Sequence, residues 1–440
     1  MHIMWFTERS YSIHLSEDEV LRNRSFFGIS NKYFDPPKGA QLLNQYLDEK
    51  IYSDELGFDG VMLNEHHGTP FCLGAVMDVE AAILAKTTNK VKIILLGNPT
   101  PTVSNPLRLG EELSMIDLIS GGRLVPGWVR GAGSEQLANN SNPAYNREYF
   151  DEAHDLILKS WTTRGPFRWE GKHFHFRFVN PWVLPLQKPH PPIWIPGLVS
   201  PETVVWSARH RYPYVALATF LEPTTELWNM YTAAAAQEGY QAGPENFGYM
   251  QPIFVADNQA KAEEMGKRFL FGGGFSNFAR PEWMFPSGYN SKEATRRLAR
   301  QFANPNQPGK TIMSMDQNGS SETVDIEAAK KALYADYGQW QKNYQMIAGT
   351  PKNVIPKLRR VLEVLRPGIF SFWLDGPIPS ADRIACLKLL AQEVVPALRE
   401  IGKELDLVDP FQRKPGSRPL PSSGKPEMVA RPEALAALGV

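Results

Sequence analysis

The chain of 440 residues has two cysteines, Cys72 and Cys386. That is too few for a disulfide framework, and a reducing compartment fits. Neither sign of charge is in excess: Lys and Arg number 47, and Asp and Glu number 47. A balanced chain has no basic surplus to hold nucleic acid by counterion release, and no block of like charge reads as a binding tail. No run approaches the roughly 18 apolar residues that span a bilayer. The opening MHIMWFTERS has neither a basic start nor a long apolar stretch, so it is not a signal peptide. These absences point to a soluble cytoplasmic protein. Two phosphate and metal signatures are missing as well. No Gly-rich fingerprint follows the first apolar run, and FGGGF (271–275) lacks the Lys-Ser/Thr of a phosphate loop, so it reads as a flexible hinge. No HExxH pair is found.

What is present is an alternation of short apolar runs with helical patterns. The hydrophobic share of 42% is ordinary for a sizeable core. Strands are expected at 3–6, 58–63, 91–97, 121–128, 191–197, 214–218, 249–256 and 368–376. Helices are expected at 39–56, 75–88, 105–120, 146–161, 201–210, 223–238 and 351–365, the last with a kink at Pro356. A hairpin inserts at 166–176, turning at Glu170-Gly171. Eight strand–helix units predict a parallel sheet closed into a (β/α)8 TIM barrel, with an open doubly wound sheet as the second choice. Long insertions follow the first strand (8–38) and separate the seventh from the eighth (271–346, a lid). The domain is expected to run over 1–405, with 406–440 a largely disordered tail.

In such a barrel function gathers at the C-terminal strand ends. Strand 2 ends abruptly in Asn64-Glu65-His66-His67, strand 3 in Gly97-Asn98, strand 4 in Arg130, and strand 5 in GLVSPET with Ser200 and Thr203 at a helix start. Free N–H groups and two hydroxyls there suit a phosphate, although Ser200 also reads as a plain N-cap. Arg130 on the same mouth is a natural phosphate partner. The imidazoles His66 and His67 suit acid/base or cofactor contact, and equally a polar loop satisfied by backbone. His173 and His175 alternate onto one face of the hairpin and read as surface cover rather than a metal pair.

The stretches GFDGVMLNEHHGTPF, NPLRLGEELSMIDLISGGRLVPGWVRG, NREYFDEAHDLILKSW, PPIWIPGLVSPETVVWSA and AGTPKNVIPKLRRVLEVL resemble the flavin-dependent luciferase-like monooxygenases, in order from residue 1 to about residue 400. The resemblance implies a barrel that binds reduced FMN and uses O2 to insert one oxygen atom into a small organic substrate. It further implies a separate NAD(P)H-dependent flavin reductase and a homodimer through the helices after strands 2 and 3. By resemblance His66 falls on the catalytic histidine and His67 on its neighbour, with Asn64 beside them on the strand-2 floor. Arg130, Ser200, Thr203 and the Val199 backbone fall on the phosphate contacts, Tyr145 on a ribityl or phosphate contact, and Asn98 on the isoalloxazine edge. Gly97–Asn98 is then expected as a non-prolyl cis peptide. Val129 replaces the reactive cysteine of luciferase, and aldehyde oxidation with light is not implied. A deazaflavin-dependent oxidoreductase and a non-catalytic flavin-binding subunit are the alternatives, the second opposed by retention of both histidines.

Overall fold

The structure, a computed structural model, describes residues 1–23, 26–198, 200–217, 220–272, 286, 288–293, 296, 325–335 and 337–436. Eight strands form one sheet: β1 (His2–Phe6), β2 (Gly60–Leu63), β3 (Lys92–Leu95), β4 (Leu124–Val125), β5 (Ile195–Gly197), β6 (Tyr214–Ala216), β7 (Phe247–Val255) and β8 (Ile369–Trp373). They pair in the order β4-β3-β2-β1-β8-β7-β6-β5, every neighbour parallel. Nearly every strand residue is buried, as expected where helices cover one face and a packed interior the other.

The sheet curls, and a single bridge links the chain beyond its two end strands. Trp194, just before β5, donates its N–H to the Pro126 carbonyl (3.1 Å), and Gly127 bridges to Trp194 in parallel. Glycine is required at 127, because a Cβ there would lie 2.4 Å from the Leu95 carbonyl oxygen and 2.5 Å from that of Trp194. Around the sheet lie helices Pro36–Glu55, Met77–Thr87, Pro106–Ser120, Asn146–Thr162, Pro201–Arg209, Leu221–Gln237, Pro351–Leu365 and Ser380–Leu389. Among the described residues, no helix is long and apolar enough to cross a membrane.

Several expectations are corrected. The first large helix starts at Pro36, not 39, because two prolines occupy the turn whose N–H groups need no partner. The insertion after β1 is not wholly irregular: Glu17–Asn23 is a helix. The fourth strand is split. Pro126 has no N–H to continue the ladder, and Trp128–Val129 pairs instead with Asn98–Pro99. The hairpin pairs Phe167–Glu170 with His175–Val179, so His173 lies in the turn and does not share a strand face with His175. Ile347–Gly349 adds a short strand beside the end of β7.

The segment expected as a tail is described through residue 436 and makes contacts with the rest of the chain. Arg418 pairs with buried Glu245 (2.7 Å), Gln241 donates to the Glu427 carbonyl (2.8 Å), and the Arg431 N–H reaches the Val364 carbonyl (2.7 Å). Most of the expected lid lies outside the described residues. So does most of the FGGGF hinge, of which Phe271 and Gly272 end helix Gln259–Gly272.

Candidate active site

The C-terminal ends of β1, β2 and β8 build one side of the site. Beyond β1 the chain turns at Arg9, whose φ of 61° is unusual for a side-chain-bearing residue. Its fully buried guanidinium donates to the Asn64 side-chain oxygen (2.9 Å), the Asn64 carbonyl (2.5 Å) and the Thr7 carbonyl (3.0 Å), and pairs with Glu80 at 3.0 Å. Asn64 donates its amide to Glu8. The Glu8 N–H donates to Asp375 at the end of β8 (2.5 Å). Burial raises both acids, Asp375 to about 7. Asn64 therefore serves as a clasp between strand ends.

His66 and His67 converge on a residue outside their own loop. Glu135, on the short helix Gly133–Ala138, is 1% exposed. One of its oxygens lies 2.9 Å from His66 Nδ1 and the other 2.8 Å from His67 Nδ1, and the His67 N–H donates to it at 3.0 Å. His66 Nε2 faces Glu8 at 3.6 Å and His67 Nε2 faces Glu65 at 3.7 Å. Burial pulls the His66 value down, but the bond to Glu135 and the charge of Glu8 outweigh it and leave the imidazole raised. The bond to Glu135 raises His67 directly. Cys72 is no nucleophile: burial pushes its thiol up to about 12. Among the described residues no group of His, Cys, Asp and Glu has the arrangement of a metal site.

Across the mouth lies a cationic corner. Arg130 follows Trp128–Val129 and donates to Asn146 (3.1 Å) and to the Tyr289 carbonyl (3.2 Å), with its guanidinium over the Tyr289 ring at 5.0 Å. Arg147 donates to the Thr203 hydroxyl (2.9 Å) at the start of helix Pro201–Arg209. Burial and the neighbouring Arg130 charge pull Arg147 down to about 10. Among the described residues its buried Nη1 has no partner. The Ser200 hydroxyl makes no cap bond and donates instead to Glu202 (3.0 Å), so the cap reading is not realised. Two adjacent cations, a spare donor and an uncapped helix N-terminus form a socket for a dianion.

Asn98, just beyond β3, is 3% exposed and donates its side-chain amide to Asp78 (3.2 Å), while its side-chain carbonyl oxygen, Oδ1, is buried without a partner among the described residues. Burial raises Asp78 to about 7. The non-prolyl cis peptide joins Leu96 to Gly97, one bond before the position expected. The Gly97–Asn98 bond is trans, the Asn98 N–H donates to the Gly127 carbonyl (2.9 Å), and Asn98 pairs with Trp128 as ordinary strand. Tyr145 lies apart from the corner. It is 45% exposed, with its ring 5.8 Å from that of His173. Val199 lies outside the described residues.

A family model described as luciferase-like monooxygenase matches residues 44–364. The chain belongs to that family. Among curated members, it is 24% identical over 388 residues to the oxygenase component of the flavin-dependent trigonelline monooxygenase of Acinetobacter baylyi, covering 86% of this chain and 95% of that one. A stretch of 199 residues is 30% identical to an uncharacterised Sinorhizobium fredii protein, y4wF, and spans 55% of its length. The fold matches the FMN-bound oxygenating constituent of 3,6-diketocamphane monooxygenase from Pseudomonas putida (TM-score 0.62, 17% identity, 90% and 99% of the two chains). It also matches an F420-dependent secondary alcohol dehydrogenase (TM-score 0.59, 14% identity, 90% and 99%).

The sequence singled out His66, His67, Asn64, Asn98, Arg130, Ser200 and Thr203, and the structure gathers them at one end of the sheet. It adds Glu8, Arg9, Glu135 and Arg147. Of these Glu8 lies just beyond β1, at a C-terminal strand end of the kind where function was expected to gather. Nothing in GSEQLA marked Glu135.

Proposed function

We propose that the chain is the oxygenase component of a two-component FMN-dependent monooxygenase, built on a closed (β/α)8 barrel. The observation that carries this reading is the Arg147 Nη1 donor, buried beside Arg130 and an uncapped helix N-terminus and without a partner among the described residues. Arg130, Arg147, Ser200 and Thr203 would hold the phosphate of FMN, with the Val199 backbone beside them. The orphaned Asn98 side-chain oxygen would accept an N–H from the isoalloxazine edge. Bound reduced FMN supplies the electrons that activate O2, one atom entering the organic substrate and the other leaving as water. When the ring is charged, His66 carries its second proton at Nε2 on the cleft side, with Nδ1–H held by Glu135 and His67 beside it. Asn64 and Arg9 fix the floor of the cleft and keep the strand ends closed to water, which favours oxygenation over release of peroxide.

A separate NAD(P)H-dependent reductase supplies the reduced flavin, and the oxygenase works as a cytoplasmic homodimer. The dimer reading is supported by Val76, Val79 and Ile83 at and along helix Met77–Thr87 and by Met115, Leu118 and Ile119 on helix Pro106–Ser120. All six are apolar and exposed on adjoining helices. The likeness to an F420-dependent dehydrogenase favours one second reading, hydride transfer with a deazaflavin.

Titration of the pure protein with FMN, riboflavin and the deazaflavin coenzyme tests both. Arg130→Ala should weaken FMN binding by about 1.5–3 kcal/mol, the range for a charge-assisted hydrogen bond, and leave riboflavin unaffected. An equal loss of riboflavin affinity would remove Arg130 from the phosphate site. Preference for the deazaflavin would favour the second reading.

A further inference from the structure

The two histidines are adjacent in sequence, yet both present Nδ1 to the same carboxylate. Each oxygen of Glu135 takes one imidazole, at 2.9 and 2.8 Å, and the His67 N–H closes the arrangement at 3.0 Å. A carboxylate that accepts from Nδ1 selects the tautomer with hydrogen on that nitrogen and turns Nε2 to the far side. One negative charge then serves two rings. Protonating either ring consumes much of the attraction available to the other. The rings differ in access: His66 is the more buried, between Glu135 and Glu8, and His67 the more exposed, between Glu135 and Glu65.

We propose that Glu135 is a positioning residue: its carboxylate fixes the Nδ1–H tautomer of both imidazoles, and its single charge makes His66 and His67 hold one excess proton as a unit. His67 is the solvent-facing reservoir of that unit and His66 the cleft-facing member. The inference rests on the reading of His66 as the acid/base group, and adds the residue that sets its protonation. The charged and titratable groups facing the unit among the described residues are Glu8 and Arg9 from the end of β1, Glu65 from the end of β2, and Tyr289, whose hydroxyl donates to the Gly131 carbonyl. Arg9 lowers His66 by its charge, while Glu8 and Glu65 raise the ring each faces; among the described residues Glu135 is the group that acts on both rings by hydrogen bonds.

The test is an NMR titration of the imidazole nitrogens in the flavin-free, full-length protein, comparing the parent with Glu135→Gln and His67→Asn. Glu135→Gln keeps the volume and removes the charge, so both histidines should titrate at lower pH than in the parent. His67→Asn removes the competitor, so His66 should titrate at higher pH. These opposite signs separate shared charge from simple packing, which would move neither. Neutral His66 should show hydrogen on Nδ1. An unchanged His66 titration in both variants, or hydrogen on Nε2 in neutral His66 of the parent, would overturn the proposal. If Glu135→Gln fails to fold, His67→Asn alone decides: a His66 that does not move rejects the shared charge. In turnover with reduced FMN, Glu135→Gln should move the alkaline limb of product formation to lower pH with FMN affinity intact. Because the titration needs no cofactor, it stands if the monooxygenase reading fails, and a failed titration leaves FMN binding untouched.

Discussion

At Glu135 the fold buries a carboxylate whose contribution depends on pH. Both imidazoles bound to it are raised above 6.5, their ordinary value. A raised group binds more protons folded than unfolded, so its stabilisation is complete below 6.5 and is lost as pH rises through the folded values. Burial raises Glu135, but its two imidazole bonds outweigh that and hold it below 4.5. Its share is complete above 4.5 and is lost as pH falls through the depressed value. The parent should therefore exceed Glu135→Gln in stability most between about pH 4.5 and 6.5, with the gap narrowing on either side. Urea unfolding at stepped pH checks this, and a gap that widens towards alkaline pH would contradict it. His66 and His67 were legible because four polar residues interrupt an apolar strand at Asn64. Glu135 was not, since it reaches them across 69 and 68 positions from a six-residue helix without periodicity. Tyr145 was drawn into the site by resemblance alone; its ring is half exposed and lies against that of His173.

Arg9 joins the ends of β1 and β2 and, through Glu80, the helix Met77–Thr87. Arg383 does the same between helices, pairing with Glu49 at 2.8 Å and donating to Thr7 at 3.1 Å. Both pairs are almost free of solvent, so deletion of one partner strands the other charge. Arg9→Met should cost about 3–5 kcal/mol for that reason, well above the value of an exposed pair. Arg108→Met, which removes an exposed partner of Glu112, is the control and should be nearly silent. Equal urea midpoints for the two variants would show that the buried pair adds nothing. The strands themselves were readable because burial on both faces leaves near-continuous apolar runs, as in Ile3–Phe6 and in Ile369–Trp373, where Ser371 is the one polar residue. Boundaries failed where one residue overrides the pattern. Pro126 ends a ladder inside an apolar run, and Pro36 starts a helix inside a polar one. The segment after residue 405 looked like a tail because its anchors, Arg418 and Gln241 among them, are polar and scattered. No hydrophobic period announces them.

For the molecule as a whole, the apolar strip on helices Met77–Thr87 and Pro106–Ser120 is too concentrated for an exposed face. Val79→Glu combined with Leu118→Glu should convert a dimer to a monomer in sedimentation while the far-ultraviolet spectrum is preserved. A monomeric parent at the same concentration, or a variant that still dimerises, would refute that use of the strip. At the other end of the chain's economy stand seven residues, 130–136. Arg130 serves the anion socket and Glu135 holds both imidazoles. Gln136 donates back to the Arg130 carbonyl at 3.2 Å, and Tyr289 donates to the Gly131 carbonyl. The two duties share one short turn of chain, so they also share one frame of length. Removing a single codon there would rotate Glu135 about the helix axis by about 100° relative to Arg130. Length changes in parts of the chain that do not touch residues 130–136 leave that frame intact, whereas the segment carrying Tyr289 is tied to it through Gly131 and Arg130. This stretch can therefore change by substitution and not by length.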